Sequence, residues 1–330
     1  MDLVSNSFTR TSLSSWIDDD SVVDVFPMRD APFPTTTPWL FFRKEQLAVQ
    51  TRDLIYSFIL TSKESGTILA LLHCLPTSDG WVSPALAPFG GIMPAAPCHV
   101  GQMAFLLACV RDWVIFQGGS KLTIKTAPSC YAPRTHEICH RAYLAAGFSP
   151  NHTYSNHYIP IADRGFHQII EPAERRRLSK GKKSGLVVTM QQGIFDGATE
   201  DFLRECYEMQ GYPLPCSSAQ LAGWTHVFPK NYLFFTNRSE GETVAVAVMV
   251  RVSDDILYHF MSGYLRRHRV LSPALMLFEA AFDYCLSENI GLLDLGISID
   301  HLGNPKPSLS RFKQRIGGRV CEKIIYEARF

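Results

Sequence analysis

The sequence predicts two tandem domains of the α/β (α+β) class, each a mixed, mainly antiparallel sheet flanked by helices. The main observation is an internal repeat, because residues 54–91 and residues 231–266 both alternate three apolar strands with two polar turns. Gly66 and Gly241 occupy corresponding turns of the two blocks. A repeat of this length indicates a duplicated domain rather than a solenoid.

The elements that follow each block support the duplication. An apolar helix is predicted over 101–116 in the first half and over 273–286 in the second. A short strand follows, and then a short helix that ends in AAGF or in RIGG. The length of 330 residues suits two domains with a core each. We therefore divide the chain into an N-terminal domain (1–165), a basic linker or first helix (166–185) and a C-terminal domain (186–330).

Composition describes a globular protein. Hydrophobic residues make up 46% of the chain, charged residues 19%, and the net charge is +1, which argues against a protein that coats nucleic acid. The N-terminus lacks the pattern of a signal peptide, and prolines interrupt the longest uncharged stretch, so no membrane span is expected and we predict a cytoplasmic protein. The nine cysteines show no zinc-site spacing, so we expect free thiols and no metal. A monomer is expected, since the duplication already supplies a pseudo-dimer.

A basic segment separates the two halves. Residues 171–185 hold six Lys and Arg residues and few that could be buried. One interpretation is a site for phosphate or for an RNA acceptor stem. The other is a solvated first helix of the second domain.

The two halves differ most at one loop. In the second half, a cluster of basic residues (Arg266, Arg267, His268 and Arg269) precedes Ser272 and Pro273. Serine can cap the free N–H groups of a helix and proline fits its first position, so a helix start is predicted here. A helix N-terminus beside these cations is suited to an anion such as phosphate. The corresponding residues of the first half, 88–101, include no Lys or Arg.

This loop carries a family resemblance. The segment 269–274, R-V-L-S-P-A, resembles the Q/R-x-x-G-x-G/A loop of the GNAT acyltransferases, which cradles the pyrophosphate of coenzyme A. It keeps Arg269 and Ala274 but has Ser272 where the family has glycine. The resemblance implies tandem GNAT-like domains, with a donor site of Arg266, Arg267, Arg269, Ser272 and Ala274 in the second.

Three further segments resemble the FemAB-like tandem GNAT acyltransferases: SPALAPFGGI (83–92), ERRRLSKGKKSGLVV (174–188) and SLSRFKQRIGG (308–318). The resemblance implies an N-acyltransferase whose donor is acetyl-CoA or another acyl-CoA, the choice that we favour, or an aminoacyl-tRNA. Nucleic acid is a partner only in the second case. The acceptor is expected to be a small-molecule amine or a peptidoglycan precursor, bound in the cleft between the domains. A binding protein that keeps the fold without the chemistry is the alternative.

Four residues are candidates for catalysis. Lys313 matches the lysine of the family's R-F-K motif, which the resemblance places in the active centre to stabilise developing negative charge. His259 is a candidate base poised near neutral pH, on a strand where Tyr258, Phe260 and Ser262 are predicted to share one face and His259 and Met261 the other. Asp294 is expected to orient Lys313 or Arg311, and Tyr264 to donate a proton to the leaving thiolate. Each also has a structural explanation: a solvated lysine, a hydrogen-bonded histidine, a paired charge and a packed aromatic ring.

Overall fold

The computed structural model of the chain describes residues 9–34, 37, 39–51 and 54–330. The chain divides into two compact units. Unit 1 consists of Met1–Tyr154 together with Glu322–Phe330, and unit 2 is Ser155–Cys321. Both units combine β-strands with flanking helices, so the predicted fold class is confirmed.

In the described part of unit 1, three short strands precede the repeated block. Its elements, in chain order, are β1 (Thr9–Ser12), β2 (Ser15–Ile17), β3 (Ser21–Pro27), α1 (Lys44–Gln50), β4 (Tyr56–Ser62), β5 (Ile68–Thr77), β6 (Gly80–Ser83), β7 (Met93–Pro94), α2 (Val100–Phe116), β8 (Lys121–Lys125), α3 (Pro133–Ala145) and β9 (Ser149–Pro160), whose last residues belong to unit 2.

Unit 2 carries the second copy of the block, with four α-helices before it and two after it. Its elements are α4 (Phe166–Ile169), α5 (Pro172–Lys183), β10 (Val187–Gln192), α6 (Gly197–Glu208), α7 (Ser218–Val227), β11 (Tyr232–Ser239), β12 (Glu242–Ser253), β13 (Ile256–Tyr264), α8 (Pro273–Ser287), β14 (Leu292–Ile297), α9 (Pro307–Arg315) and β15 (Arg319–Arg329), whose last residues belong to unit 1.

The sheet of unit 1 runs in the order β1–β2–β3–β4–β5–β6–β8. Neighbouring strands are antiparallel except for β6 and β8, which are parallel. The last residues of β15 add an antiparallel strand beside β8, with Ile325 opposite Lys125. Helix α2 packs its apolar face, including Leu106 and Val110, into the core of this unit. The strands β1 to β3 extend the sheet beyond β4, where the sequence predicted no elements.

The sheet of unit 2 runs in the order β10–β11–β12–β13–β14, and β9 follows β14. All neighbours are antiparallel except β13 and β14, which are parallel. Helix α8 buries Phe278, Ala281 and Phe282 in the same core as Leu293 and Leu295 of β14. The α8 helix thereby supports the strands that carry the site described below.

The observed boundaries follow the local sequence signals closely. Helices α2 and α8 start and end within one residue of the predicted ranges. The basic segment forms α5, whose buried Glu174 pairs with Arg177 and with Arg315 of α9. The predicted domain ranges, 1–165, 166–185 and 186–330, differ from the two units in two places. Unit 2 already begins at Ser155, within β9, and the end of β15 belongs to unit 1, where it pairs with β8. In the part of the chain that the structure describes, none of the helices is both long and apolar enough to cross a membrane.

Candidate functional site

The candidate site lies where β13 and β14 of unit 2 separate. Their parallel pairing covers only Ile256–Tyr258 against Leu292–Asp294. Beyond it, β13 continues to Tyr264 and β14 to Ile297, without a ladder between them among the described residues. Backbone groups on the facing edges therefore need other partners.

An irregularity in β13 changes which side chains point toward α8. Met249 of β12 lies opposite His259 and Val248 lies opposite Met261, so Phe260 is an extra residue on β13. An extra residue exchanges the two faces of the strand beyond it. Accordingly, Gly263 approaches Cys206 of α6, whereas Tyr264 packs against the core that includes α8. The predicted alternation is therefore wrong beyond Phe260.

His259 is held between α8 and β14. Its ring lies 5.0 Å from the ring of Phe278, and its imidazole forms a hydrogen bond with the backbone of Leu295. Burial, with a smaller contribution from the charge of Lys313, lowers the pKa of His259 to about 3. The imidazole is thus neutral at pH 7, which corrects the prediction of a base poised near neutrality. Its Nε2 atom is buried and has no partner among the described groups.

Lys313 projects from α9 onto the free end of β14. Its Nζ donates to the carbonyl oxygens of Gly296 at 2.9 Å and Ile297 at 2.7 Å. The residue is only 3% exposed, and burial lowers the pKa of its amine to about 7, although nearby Asp294 partly opposes this change. A protonated amine has three N–H donors, so these two carbonyls leave one for a ligand oxygen. The structural alternative, a solvated lysine, therefore does not describe Lys313.

Asp294 organises the backbone that Lys313 contacts. Its Oδ1 accepts from the Asn156 side chain at 2.7 Å and from the backbone N–H of Gly296 at 2.8 Å. Gly296 has a φ of 75°, and the pairing of β14 with β9 shifts register there. Asp294 therefore fixes the local bend that aims the last carbonyls of β14 at Lys313. Arg311, the other predicted partner, is exposed on the outer side of α9.

His157 is a further site residue, which was not predicted from the sequence. It is fully buried on β9, where its Nε2 lies 3.1 Å from the Ser310 hydroxyl of α9 and its Nδ1 lies 3.5 Å from the Ser298 hydroxyl. Burial and the charge of Lys313 lower its pKa to about 4. The sequence offered no clear signal for His157, because β9 is mostly polar along its length. These contacts tie α9, and hence Lys313, to β9.

The predicted donor loop precedes α8. Arg266–Leu271 forms a 3-10 turn in which Arg267 and His268 contact Glu242, while Arg266 and Arg269 are exposed. Helix α8 begins at Pro273 as predicted, and Ala274 lies in its first turn.

Ser272 does not cap α8 with its side chain, which corrects the prediction. Its backbone adopts the left-handed conformation, with φ and ψ both 51°. This conformation favours glycine, the residue of the GNAT loop at this position.

The described residues include no cluster of His, Cys, Asp and Glu side chains that could hold a metal ion. All nine cysteines are free.

The chain is similar to known proteins in the sequence of its second half and in its fold. Residues 166–313 match the family described as Acetyltransferase (GNAT) domain. No curated protein sequence matches the chain. The crystal structure of FemX is similar, with a TM-score of 0.64, 10% identity, and coverage of 89% of this chain and 94% of that one.

Two other solved structures have a TM-score of 0.54. The tandem GNAT protein from the clavulanic acid biosynthesis pathway is 12% identical, with coverage of 93% of this chain and 98% of that one. L-PGS from Bacillus licheniformis is 11% identical, with coverage of 86% of both chains. At these identities the likeness concerns the fold. The match to the GNAT acetyltransferase domain spans α4 to Lys313, and the fold of the chain is similar to the folds of FemX and of a tandem GNAT protein.

Proposed function

We propose that this protein is an N-acyltransferase that moves an acyl group from an acyl-CoA to an amine, with Lys313 as the central catalytic residue. The observation that carries the proposal is the buried Lys313 amine at the open end of β14. Two of its N–H groups donate hydrogen bonds to the backbone carbonyls of Gly296 and Ile297, and the third can donate to a ligand. A buried amine with a lowered pKa, placed in a GNAT domain, is typical of a functional site.

The acyl-CoA donor is expected to bind along the edge of β13 and at the start of α8. Beyond Tyr258, β13 lacks a strand partner on the β14 side within the described residues, so its backbone groups can pair with an extended ligand that carries amides. The pantetheine arm of coenzyme A is such a ligand. Arg266 and Arg269 are exposed beside the first turn of α8 and suit its phosphates.

The chemistry then follows from the site residues. The amine nitrogen attacks the thioester carbonyl carbon, a C–N bond forms, and the C–S bond breaks. Lys313 donates a hydrogen bond to the carbonyl oxygen as negative charge develops. The partnerless Nε2 of His259 accepts a hydrogen bond from the attacking amine, whose proton passes to water because His259 is too weak a base to hold it. Tyr264 protonates the leaving thiolate and regains a proton from water. Asp294 keeps in place the carbonyls of Gly296 and Ile297, to which Lys313 donates.

One observation on α5 supports an alternative donor, an aminoacyl-tRNA. On α5, the side chains of Arg176, Lys180 and Lys183 are exposed, whereas Arg177 and Lys182 are engaged in ion pairs. Three free cations on one helix suit the backbone of an aminoacyl-tRNA. In that case the acceptor would be a cell-wall precursor, as the FemAB-like resemblance implies. Binding of the acceptor between the two domains stays a prediction, and so do the monomeric state and the cytoplasmic location of the protein.

Ligand-dependent melting tests the donor. Coenzyme A at about a hundredfold its Kd should add roughly 2.7 kcal/mol of stability, and a desphospho analogue should add less. Arg269→Ala should lose most of the coenzyme A shift, whereas Arg319→Ala, which removes an exposed arginine on β15, should keep it. An equal coenzyme A shift in Arg269→Ala and Arg319→Ala would contradict the assignment of the 266–274 loop as the phosphate-binding site. No shift with coenzyme A, together with RNA binding that is lost when Arg176, Lys180 and Lys183 are changed to Gln, would establish the second donor.

A measurement of turnover tests the catalytic role of Lys313. Once an acceptor amine is found, Lys313→Met should lower kcat by about 10²–10³ and leave coenzyme A binding in place, because one hydrogen bond to the developing oxyanion is lost. Gln314→Ala, an exposed neighbour on α9, serves as the control and should keep kcat. Normal turnover in Lys313→Met would eliminate its catalytic role.

A further inference from the structure

One polar side chain of unit 2 lies among apolar ones. Along β11, Leu233, Phe235 and Asn237 share the face that packs against α8. Leu233 and Phe235 are buried in the apolar core to which α8 also contributes. Asn237 is completely buried as well, although its side chain is polar. A buried polar side chain in such a place calls for a physical explanation.

The Asn237 amide is hydrogen-bonded on one side only. Its Nδ2 donates to the backbone carbonyl oxygen of Pro273 at 3.1 Å, and Pro273 is the first residue of α8. Its Oδ1 is buried and has no partner among the described groups. One hydrogen bond between neutral groups typically contributes less to stability than an unpaired buried oxygen costs. An apolar side chain of similar size would serve the core at least as well, so stability alone does not account for Asn237.

The hydrogen bond fixes the start of α8. Ser272 adopts the left-handed conformation and turns the chain from the basic loop into the helix, and Pro273 follows directly. Because the Pro273 carbonyl is bonded to the sheet, this turn cannot shift along β11 or away from it without losing the bond. The same turn carries the exposed Arg269 and the backbone N–H of Ala274, so their placement depends on it as well.

A second element, helix α5, confines the same turn. Gly181 of α5 is buried, and a Cβ added there would lie 2.7 Å from the carbonyl oxygen of Leu271. This close packing leaves Leu271 no room to move toward α5. The residues on both sides of Ser272 are therefore held in place before a ligand arrives, which reduces the entropy lost on binding.

We propose that Asn237 is a positioning residue for the donor site. It holds the first turn of α8 where the turn and the basic loop before it can receive the phosphates of coenzyme A. Asn237 is buried and does not touch the donor, so its effect passes through Pro273. The inference rests on the proposed function, because it takes the 266–274 loop as the phosphate-binding site.

The experiment measures coenzyme A binding to the full chain by isothermal titration calorimetry. Asn237→Leu removes the hydrogen bond and keeps a side chain of similar size, so the Kd for coenzyme A should rise about tenfold. Its midpoint of urea unfolding without ligand should not fall, because the unpaired oxygen is removed as well. Thr236→Val, a change of similar size on the opposite face of β11, is the matched control and should keep the wild-type Kd. An unchanged Kd in Asn237→Leu would overturn the proposal.

A probe without phosphates separates positioning of the loop from a general structural effect. Pantetheine has the amides of coenzyme A but no phosphate, so Asn237→Leu should bind it as tightly as the wild type does. An equal loss of affinity for both probes would overturn the role at the loop. If Asn237→Leu fails to fold, Asn237→Thr provides the same test, since its hydroxyl is one bond shorter and falls short of Pro273.

The wild type distinguishes the failure of this inference from that of the proposed function. If the wild type does not bind coenzyme A, the proposed donor is wrong and this inference is overturned with it. If the wild type binds coenzyme A and Asn237→Leu binds it equally tightly, only the role of Asn237 is wrong.

Discussion

Replacing Lys313 with methionine tests whether α9 buries an amine that is easily deprotonated. Lys313 is 3% exposed, and burial lowers its pKa from the ordinary value of 10.5 to about 7. Between these two values the unfolded chain binds more protons than the folded one, so the free energy of unfolding rises with pH in that window. For these pKa values, the rise from pH 7 to pH 9 is about 2 kcal/mol.

Methionine has a similar length and no proton to exchange, so it lacks this contribution. The stability of the wild type relative to Lys313→Met should therefore increase by about 2 kcal/mol between pH 7 and pH 9. Urea unfolding of both proteins at several pH values measures the difference, and groups that titrate equally in both cancel. The neighbouring imidazoles of His157 and His259 are neutral throughout this range, because burial lowers both of their pKa values. If the free energies of unfolding of the wild type and of Lys313→Met changed equally between pH 7 and pH 9, the reasoning would be refuted.

Two further predictions concern backbone positions near the site. Ser272→Gly should raise the free energy of unfolding by about 1 kcal/mol, because Ser272 has a φ of 51° where glycine is unstrained; a lower stability in urea unfolding would contradict this. The same variant should bind coenzyme A more tightly in the melting assay if the loop holds its phosphates. Gly263→Ala should lower stability by about 1–3 kcal/mol, because the added Cβ would lie 2.7 Å from the Cβ of Cys206. Gly197→Ala, where a Cβ meets open space, is the matched control and should not be destabilised comparably.

Local patterns in the sequence were enough to predict the repeated strands and the helices that follow them. The turns around Gly66 and Gly241 and the start of α8 at Pro273 depend on neighbouring residues, which a sequence displays directly. The extra residue at Phe260 leaves no such trace, because its neighbours on β12 decide it.

Long-range contacts limited the prediction of the site. Lys313 was identified through the family motif, but its burial depends on β14, and its anchoring depends on contacts between His157 and α9. The sequence places His157 and Ser310 far apart, and His157 lies outside the segments that carry the family resemblance. Their proximity follows from β9 pairing with β14.

The position of β15 has a consequence for the order in which the protein is assembled. Unit 2 occupies one continuous stretch of chain, whereas unit 1 needs Glu322–Phe330, which is made after unit 2. A nascent chain emerges with its N-terminal part first, so unit 2 can complete its fold while β8 still lacks its partner. Tyr326 belongs to that segment and stacks on Tyr143 in the core of unit 1. The core of unit 1 is therefore complete only after synthesis has passed the end of β15, and until then β8 is an edge strand with an unpaired side.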